Sequence, residues 1–284
     1  MVSKSNKINL KLNSIEKSTC ILGEGLFLDK EVKCWIDIEK NNLFLKRNNF
    51  LEKYKTKIKP SVILTRKNNI FLLGTEKGLV EYNISSRKEK IIKNFSNFHS
   101  FKDYRSNDGG FCDEKILLGF MHRKNAEKIP GYIYIVKNHE ISLLDNEIHV
   151  PNSFIQISKR KILISDSLKG IVWLFELDKN GSLKNKTVWK DFNSLMIPDG
   201  GCFFEKKVFL AFWDAASIGI FTIDGKLINF LDLPSLRPTN CKIDPFTREI
   251  WITSALEGLT KKEVELYPQS GNTFSFDLDF LNLC

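Results

Sequence analysis

The stretch KILISDS (Lys161–Ser167), followed closely by GIVWLFELD (Gly170–Asp178), has the composition of two short β-strands joined by a turn. Both segments are rich in β-branched and aromatic residues. Comparable pairs recur along the chain: KCWIDI with NLFLKR, NIFLLGT with GLVEYNI, KILLGFM with GYIYIVK, KVFLAFW with IGIFTID, and EIWITSA with NTFSFDL. The chain therefore contains six hairpin-like units, and strong helical periodicity is hard to find.

The spacing of these units indicates how they are arranged. One apolar residue near the middle of each first strand marks the repeat, and these anchors are Trp35, Leu72, Leu117, Leu163, Phe209 and Trp251. They lie 37, 45, 46, 46 and 42 residues apart. A β-sandwich is the alternative for short strands of this kind, but a near-constant period of this length is typical of propeller blades. We therefore predict an all-β fold: one six-bladed β-propeller domain over residues 1–284, with four-stranded antiparallel blades around a central channel.

Two further expectations concern the strands. The anchor strands end on small or polar residues, which suits inner strands crowded around the channel, so we expect them to be innermost. An early strand such as INLKL (residues 8–12) is expected to complete the last blade and close the ring.

A second pattern lies ten or eleven residues before the anchors. Five units carry an oxygen-bearing side chain there, and only the second unit departs from the pattern, with Ser61; the five residues are Glu24, Asn107, Asn152, Asp199 and Asn240. Each could simply cap its own turn. Equivalent positions in a propeller form a ring, however, so we expect these side chains to converge at one mouth of the channel, on the loops entering the inner strands. Such a ring favours a site for a divalent cation.

Histidine and cysteine do not compete for this role. The four histidines, His99, His122, His139 and His149, show no HxxxH or HExxH spacing, and none of the six cysteines forms a CxxC pair. The predicted cation is therefore held mainly by oxygen, and calcium, zinc, manganese and iron all suit the site. Three protein ligands plus water would leave open positions, as catalysis needs.

Composition limits the partners. The chain has 284 residues and a net charge of +9. A polyanion could suit that charge, but the basic residues are scattered along the chain, which favours a solvated surface and no nucleic-acid partner. We see no secretory leader and no apolar stretch of membrane-spanning length, so we expect a soluble, reduced, cytoplasmic protein without a membrane partner. A monomer is consistent with the sequence.

Taken in order, the motifs resemble those of the SMP-30/gluconolactonase/regucalcin-like family of six-bladed propellers. The resemblance covers nearly the whole chain. It rests on LGEG with CWIDI, RSNDGG, VPNSF with ILISDS, IPDGG, and RPTNC with WITSA. The family implies that Glu24, Asn152 and Asp199 bind the metal. It also implies that Arg105 and Asn107 hold the substrate; Arg105 comes from the resemblance alone, and its other interpretation is a surface arginine.

Some motifs depart from the family pattern. EGL stands for Glu-Gly-Pro, PNS for Pro-Asn-Gly, and KIDPF for the expected Phe-Gly-Gly. GFMHRKN replaces the family's Gly-Thr-Met, and no acidic substrate contact is evident beyond it. His122, with Arg123 and Lys124, lies there instead; His122 and Asn240 are candidates for the rim of the pocket. A basic rim could favour an anionic lactone, or the three residues could simply be solvated.

The resemblance implies hydrolysis of a small-molecule sugar lactone to its aldonic acid. The metal would polarise the lactone carbonyl, and Asp199 would act as general base for the attacking water. Two alternatives stay open: hydrolysis of a phosphotriester or another ester on the same cation site, and a non-catalytic propeller that binds metal or a protein partner.

Overall fold

Short strands make up nearly all the regular structure in the computed structural model, which describes residues 12–138 and 140–278. In chain order the elements are β1 (Leu12–Glu16), β2 (Gly23–Leu28), β3 (Lys33–Asp37), β4 (Asn42–Arg47), β5 (Phe50–Lys55), β6 (Pro60–Lys67), β7 (Ile70–Thr75), β8 (Gly78–Asn83), β9 (Lys88–Asn94), β10 (Tyr104–Cys112), β11 (Lys115–His122), β12 (Tyr132–Lys137), β13 (Glu140–Asp145), β14 (Pro151–Ser158), β15 (Lys161–Asp166), β16 (Ile171–Leu177), β17 (Leu183–Asp191), β18 (Ile197–Phe204), β19 (Lys207–Trp213), β20 (Ser217–Thr222), β21 (Leu227–Asp232), β22 (Pro238–Ile243), β23 (Glu249–Ser254), α1 (Lys261–Leu266) and β24 (Thr273–Asp277). Over these two ranges, no helix has the length and apolar character needed to cross a membrane.

The strands form six four-stranded antiparallel sheets, which confirms the predicted six-bladed propeller. Blades one to five are β2–β5, β6–β9, β10–β13, β14–β17 and β18–β21. The sixth blade has the order β1-β24-β23-β22, so a strand from the start of the chain closes the ring by pairing with β24. The predicted closing strand INLKL meets β1 only at Leu12, because residues 8–11 lie outside the described residues.

The channel is lined by the first strand of each blade rather than by the anchor strands. Strands β2, β6, β10, β14, β18 and β22 contact one another in a closed ring. The anchors lie one strand further out, with Trp35 in β3 and Leu163 in β15. The expectation was wrong because the innermost strands contain the proline and glycine residues typical of turns, as in IPDGGCFF of β18. These residues pair as strand and form β-bulges.

The hydrophobic core is divided among the interfaces between blades. Between blades one and two, for example, Ile36 packs with Phe71 and Tyr82. At the interface that closes the ring, Trp35 stacks on Phe44 with ring centroids 5.5 Å apart, and Trp251 of the sixth blade joins the same cluster. Close packing between neighbouring sheets fixes each blade against the next, and therefore fixes the channel residues relative to one another.

The outer strands explain where part of the positive charge lies. Strand β9 has the sequence KEKIIKN and β17 has LKNKTVWKD, and most of their side chains are exposed or half-buried. Lysines on an edge strand discourage pairing with the edge of another sheet. These outer-strand lysines therefore protect blade edges.

Candidate active site at one mouth of the channel

The predicted ring residues lie within the innermost strands, at places where strand pairing is irregular. The register with the neighbouring strand shifts between Glu24 and Phe27 in β2, and between Asn152 and Ile155 in β14. Strand β18 shows the same shift around Asp199, between Pro198 and Gly201. A bulge leaves backbone unpaired and redirects the side chain beside it. The residues were expected on loops; bulged strands hold them instead.

Gly200 shows why the motif IPDGG needs its glycines. A Cβ atom added at Gly200 would lie 2.4 Å from the side-chain amide carbon of Asn240, which is far inside van der Waals contact. The absence of a side chain therefore lets β18 approach β22 closely. This approach places Asp199 and Asn240 side by side in the ring.

Two carboxylates meet at the centre of the ring. Glu24 and Asp199 are both 5% exposed, and they lie close enough for the charge of Glu24 to act on Asp199. Asn152 Nδ2 donates to Asp199 Oδ1 at 2.5 Å and to Ser167 Oγ at 3.2 Å. Asn240 Nδ2 lies 3.5 Å from Glu24 Oε2. Four of the five predicted ring residues thus contact another ring residue directly, in the pairs Asn152–Asp199 and Asn240–Glu24.

Two ionised carboxylates in this ring are electrostatically unfavourable when no positive charge lies between them. Burial, with the charge of Asp108 as the next cause, raises the pKa of Glu24 to about 8. Burial and then the charge of Glu24 raise the pKa of Asp199 well above its usual range. Two like charges held together in a buried site resist ionisation, and a positive charge between them would remove the conflict.

A cation fits the donor atoms of this ring. Asn152 Oδ1 and Asn240 Oδ1 are buried and have no hydrogen-bond partner, which is costly for a polar atom unless a ligand supplies one. Within residues 12–138 and 140–278, no group of three His, Cys, Asp or Glu side chains could hold a metal. The predicted set contains only two such residues, and its third donor is an amide oxygen. Two carboxylates and an uncommitted amide oxygen suit a hard, oxygen-seeking divalent cation.

A cavity of about 320 Å³ opens above the ring, at the end of the propeller where the innermost strands begin. Its lining includes all five residues predicted for the metal and the substrate, namely Glu24, Arg105, Asn107, Asn152 and Asp199. Arg105 Nη1 donates to Asn107 Oδ1 at 2.8 Å and to the Ser106 carbonyl at 3.0 Å. Asn107 Nδ2 donates in turn to the Pro151 carbonyl at 3.1 Å. These bonds fix the Arg105 guanidinium on the cavity wall.

The two predicted rim residues lie elsewhere. Asn240 lines a second chamber of about 300 Å³ on the other side of the ring. His122 is not among the residues that line the cavity, and its Nδ1 accepts hydrogen bonds from the backbone N–H groups of Lys124 and Asn125. Arg123 is held by Glu76 at 2.7 Å and by two backbone carbonyls. His122 is thus engaged in its own turn and Arg123 with neighbouring segments, and His139 lies outside the described residues.

Two acidic residues near the site were not given a role from the sequence. Asp108 is 3% exposed, its Oδ2 has no partner, and it lines the second chamber. It directly follows Asn107, and the two side chains face opposite sides of the ring at the register shift of β10 between Ser106 and Gly109. Burial raises the pKa of Asp108 to about 6. The motif RSNDGG was its only signal in the sequence.

Glu257 lines the cavity from the connection that follows β23. Its charge interacts with that of Arg105 across the cavity. An acidic residue therefore lines the cavity, but it comes from the sixth blade and not from the segment after β11, where the family pattern led us to seek one. No motif marked this position, because the connection is irregular.

The departure from Pro-Asn-Gly to Pro-Asn-Ser has a local explanation. Ser153 has a φ of +75°, a conformation that glycine adopts without strain. Its hydroxyl lies 2.5 Å from the Asp199 carbonyl oxygen and 2.5 Å from Ser165 Oγ. The serine therefore ties the bulge of β14 to the backbone of Asp199.

Solved structures with the same fold include two that superpose closely. Regucalcin from Agrobacterium tumefaciens strain C58, described as a calcium-binding protein, is 22% identical, with 93% of each chain covered and a TM-score of 0.85. A luciferin-regenerating enzyme is 18% identical, with 93% of this chain and 95% of the other covered and a TM-score of 0.81. A protein thought to be a gluconolactonase is 13% identical, with 95% and 94% covered and a TM-score of 0.73. At these identities the likeness establishes the fold alone.

The sequence itself gives the closer relationship. The model of the SMP-30/gluconolactonase/LRE-like region matches residues 22–256, which span all but the ends of the described propeller. The match begins just before Glu24 and ends just before Glu257, so it takes in every residue of the ring. The chain belongs to the SMP-30/gluconolactonase/LRE-like family.

Proposed function

We propose that this protein is a metal-dependent lactonase that opens a cyclic carboxylic ester to its hydroxy acid. The observation that carries the proposal is the floor of the cavity. There, two buried carboxylates face each other beside an amide oxygen without a partner. An arginine fixed by two hydrogen bonds stands on the adjoining wall. Catalytic sites combine groups of this kind in one cleft.

The residues that would hold the cation are Glu24, Asn152 and Asp199. A bound divalent cation would supply the positive charge that polarises the ester carbonyl and offsets the two carboxylates. The calcium-binding description of the regucalcin structure supports calcium, and zinc, manganese and iron suit the same oxygen donors. Asn152 is positioned for this role because its Nδ2 bonds hold the amide while Oδ1 stays uncommitted.

Asp199 would move the proton. A water oxygen adds to the carbonyl carbon while a carboxylate oxygen of Asp199 accepts the water's proton. The ring C–O bond then breaks, and the same proton passes from Asp199 to the departing alkoxide, which gives the hydroxy acid. The bulge of β18 and the bond from Asn152 hold the Asp199 carboxylate in one orientation for both transfers.

Arg105 and Asn107 would hold the substrate. Bonds to Asn107 and Ser106 engage Nη1 of Arg105, which leaves other N–H donors of the guanidinium for oxygens of the lactone. The sugar lactone implied by the sequence motifs is the reference substrate, and the gluconolactonase in the family's name supports it.

The proposal is tested by a pH-indicator assay of the protein after chelation and dialysis. The assay uses glucono-δ-lactone and galactono-γ-lactone, each with calcium, zinc, manganese or ferrous ion restored in turn. We expect hydrolysis above the spontaneous rate with at least one cation and its loss on chelation. Full activity after exhaustive metal removal would contradict metal dependence. No hydrolysis of any lactone with any cation would contradict the lactonase function.

A further inference from the structure

The walls of the active-site cavity differ in chemistry from its floor. The floor is polar, with Glu24, Asn107, Asn152 and Asp199. The walls above it carry apolar side chains contributed by several blades: Leu22, Ile38, Val150, Leu168, Ile197 and Trp213. A ligand that reaches the floor must therefore pack part of its surface against aliphatic and aromatic groups.

Few polar groups on these walls are available to a ligand. Ser167 Oγ on the wall donates to the Pro198 carbonyl at 2.6 Å, whereas Asn107 on the floor keeps one N–H for a ligand beside its bond to the Pro151 carbonyl. The remaining wall donors and acceptors are those of Arg105 and Glu257. An aldonolactone carries a hydroxyl on most of its carbons, and each hydroxyl buried without a partner is costly. Two polar side chains cannot satisfy all of them.

The rim presents apolar surface to solvent. Leu168 is 42% exposed and Ile197 is 37% exposed, although both line the cavity. Leu195, two residues before Ile197, is 85% exposed. Exposed apolar side chains gathered at a cleft are characteristic of a binding surface, whereas scattered ones need no explanation.

The aromatic part of the wall is held rigidly. The guanidinium of Arg237 lies 4.9 Å from the centre of the Trp213 ring. Arg237 is itself fixed by Asp214, with Nε–Oδ1 at 2.5 Å and Nη2–Oδ2 at 3.3 Å. One face of the indole is thus braced by a paired arginine, which is the arrangement expected of a preformed contact surface.

We propose that the substrate is a lactone with an apolar arm, alkyl or aryl, that packs against Leu168, Ile197 and Trp213 while the ester group reaches the floor. The inference rests on the proposed lactone hydrolysis and names its substrate class. A cavity of about 320 Å³ falls in the range that binds small molecules.

The test is a series of δ-lactones that differ only in the arm. It comprises δ-valerolactone, its 5-methyl, 5-propyl and 5-pentyl derivatives, and glucono-δ-lactone as the polar counterpart. Burial of each added methylene should raise kcat/KM about threefold to fourfold. The inference would be overturned if kcat/KM did not change with the length of the arm. It would also be overturned if glucono-δ-lactone were hydrolysed faster than every alkyl lactone.

A pair of variants ties the effect to this wall. Leu168→Ser should reduce the gain per methylene, because it removes an apolar contact at the rim. Leu143→Ser is the matched control, since Leu143 is half-exposed on outer strand β13 and should leave the series unchanged. If kcat/KM rose by the same factor per methylene in the wild-type protein and in both variants, the assignment of the arm to this wall would be overturned.

A binding measurement separates this inference from the lactonase function. Calorimetric titration with the corresponding 5-hydroxyalkanoates follows affinity without turnover. If no lactone is hydrolysed, the lactonase proposal fails, but affinity that rises with chain length still supports an apolar-armed ligand. Equal affinity at every chain length would overturn the inference whatever the turnover.

Discussion

Two kinds of buried carboxylate stand one strand apart in this propeller. Asp166, at the end of β15, accepts backbone N–H groups from His149 at 2.9 Å and from Val150 at 3.3 Å. Asp37, at the end of β3, does the same for Ile21 and Leu22. Both brace the segment that leads into an innermost strand. Glu24 and Asp199 on the innermost strands face each other instead.

The difference lies in what satisfies each charge. A carboxylate surrounded by backbone N–H groups is stabilised by the fold, so it contributes to stability. A carboxylate directed at another carboxylate is costly until a cation or a proton joins them. The second strands therefore carry acids that maintain the structure, and the innermost strands carry acids that we propose bind a cation.

The largest expected effect comes from Asp199→Asn. We expect kcat/KM to fall by roughly 10² to 10⁴-fold, the range associated with a lost general base. The free energy of unfolding should change by less than about 1 kcal/mol, because the change also removes repulsion from Glu24. Lactonase kinetics and urea unfolding measure the two quantities.

Asp166→Asn is the matched control with the opposite profile. We expect it to lower the free energy of unfolding by about 1.5–3 kcal/mol, since hydrogen bonds to a charged group are lost, and to keep the activity of the folded protein. If both variants lost stability and activity to the same extent, the two kinds of carboxylate would not differ in role.

A smaller effect is expected from Arg105→Gln. Loss of the charged donor should raise KM by about 10-fold to 100-fold, with a smaller change in kcat, because the guanidinium is assigned to binding. Arg123→Gln is the control, since Arg123 pairs with Glu76 outside the cavity and should affect stability alone. An unchanged KM in Arg105→Gln would remove this residue from the substrate site.

His99 is a third kind of buried titratable group, and no ligand-binding role is assigned to it. Both ring nitrogens lack partners, and the ring packs among Phe101, Tyr104, Phe120 and Tyr134. Burial lowers the pKa of His99 to about 4. The unfolded chain binds a proton near pH 6.5, so the contribution of His99 to stability should be full above that pH and decline as the pH falls towards 4.

Urea unfolding between pH 7.5 and 4.5 checks this expectation. The raised pKa values of Glu24 and Asp108 contribute with the opposite sign, so the His99 contribution is read as the difference in unfolding free energy between the wild-type protein and His99→Phe, and this difference should change as the pH falls from 7.5 to 4.5. The same slope in the wild-type protein and in His99→Phe would show that His99 has no part in the pH dependence.

The smallest effect is expected from Ser153→Gly. The change removes the hydroxyl bonds to Asp199 and Ser165, and it also relieves a positive φ. Because these terms oppose each other, the free energy of unfolding should change by less than about 1 kcal/mol. A loss of several kcal/mol in thermal or urea unfolding would mean that the hydroxyl alone holds the bulge.

The sequence predicted the number of blades because each blade repeats the same strand length and turn. It also predicted the ring, because equivalent positions in repeats return to equivalent places in space. It misplaced the ring on loops because Pro198, Gly200 and Gly201 are turn formers in isolation. Here the pairing of β18 with β19 and the close approach of β22 override that local preference.

The cavity walls could not be predicted in the same way. Leu22, Ile38 and Val150 lie on connections or strand ends, where the direction of a side chain depends on how neighbouring blades pack. Glu257 reaches the cavity from an irregular segment without a repeat position. Asp108 was visible in its motif, but only the folded, bulged strand β10 shows that it faces the second chamber.

Thermal unfolding with and without divalent cations tests most directly whether the facing carboxylates form a cation site. At a cation concentration a hundredfold above its Kd, the protein should gain about 2.7 kcal/mol of stability and a higher Tm. The gain should disappear in the double variant Glu24→Gln/Asp199→Asn and persist in Asp166→Asn. No gain with calcium, zinc, manganese or ferrous ion, or an equal gain in the double variant, would contradict a cation site at the ring.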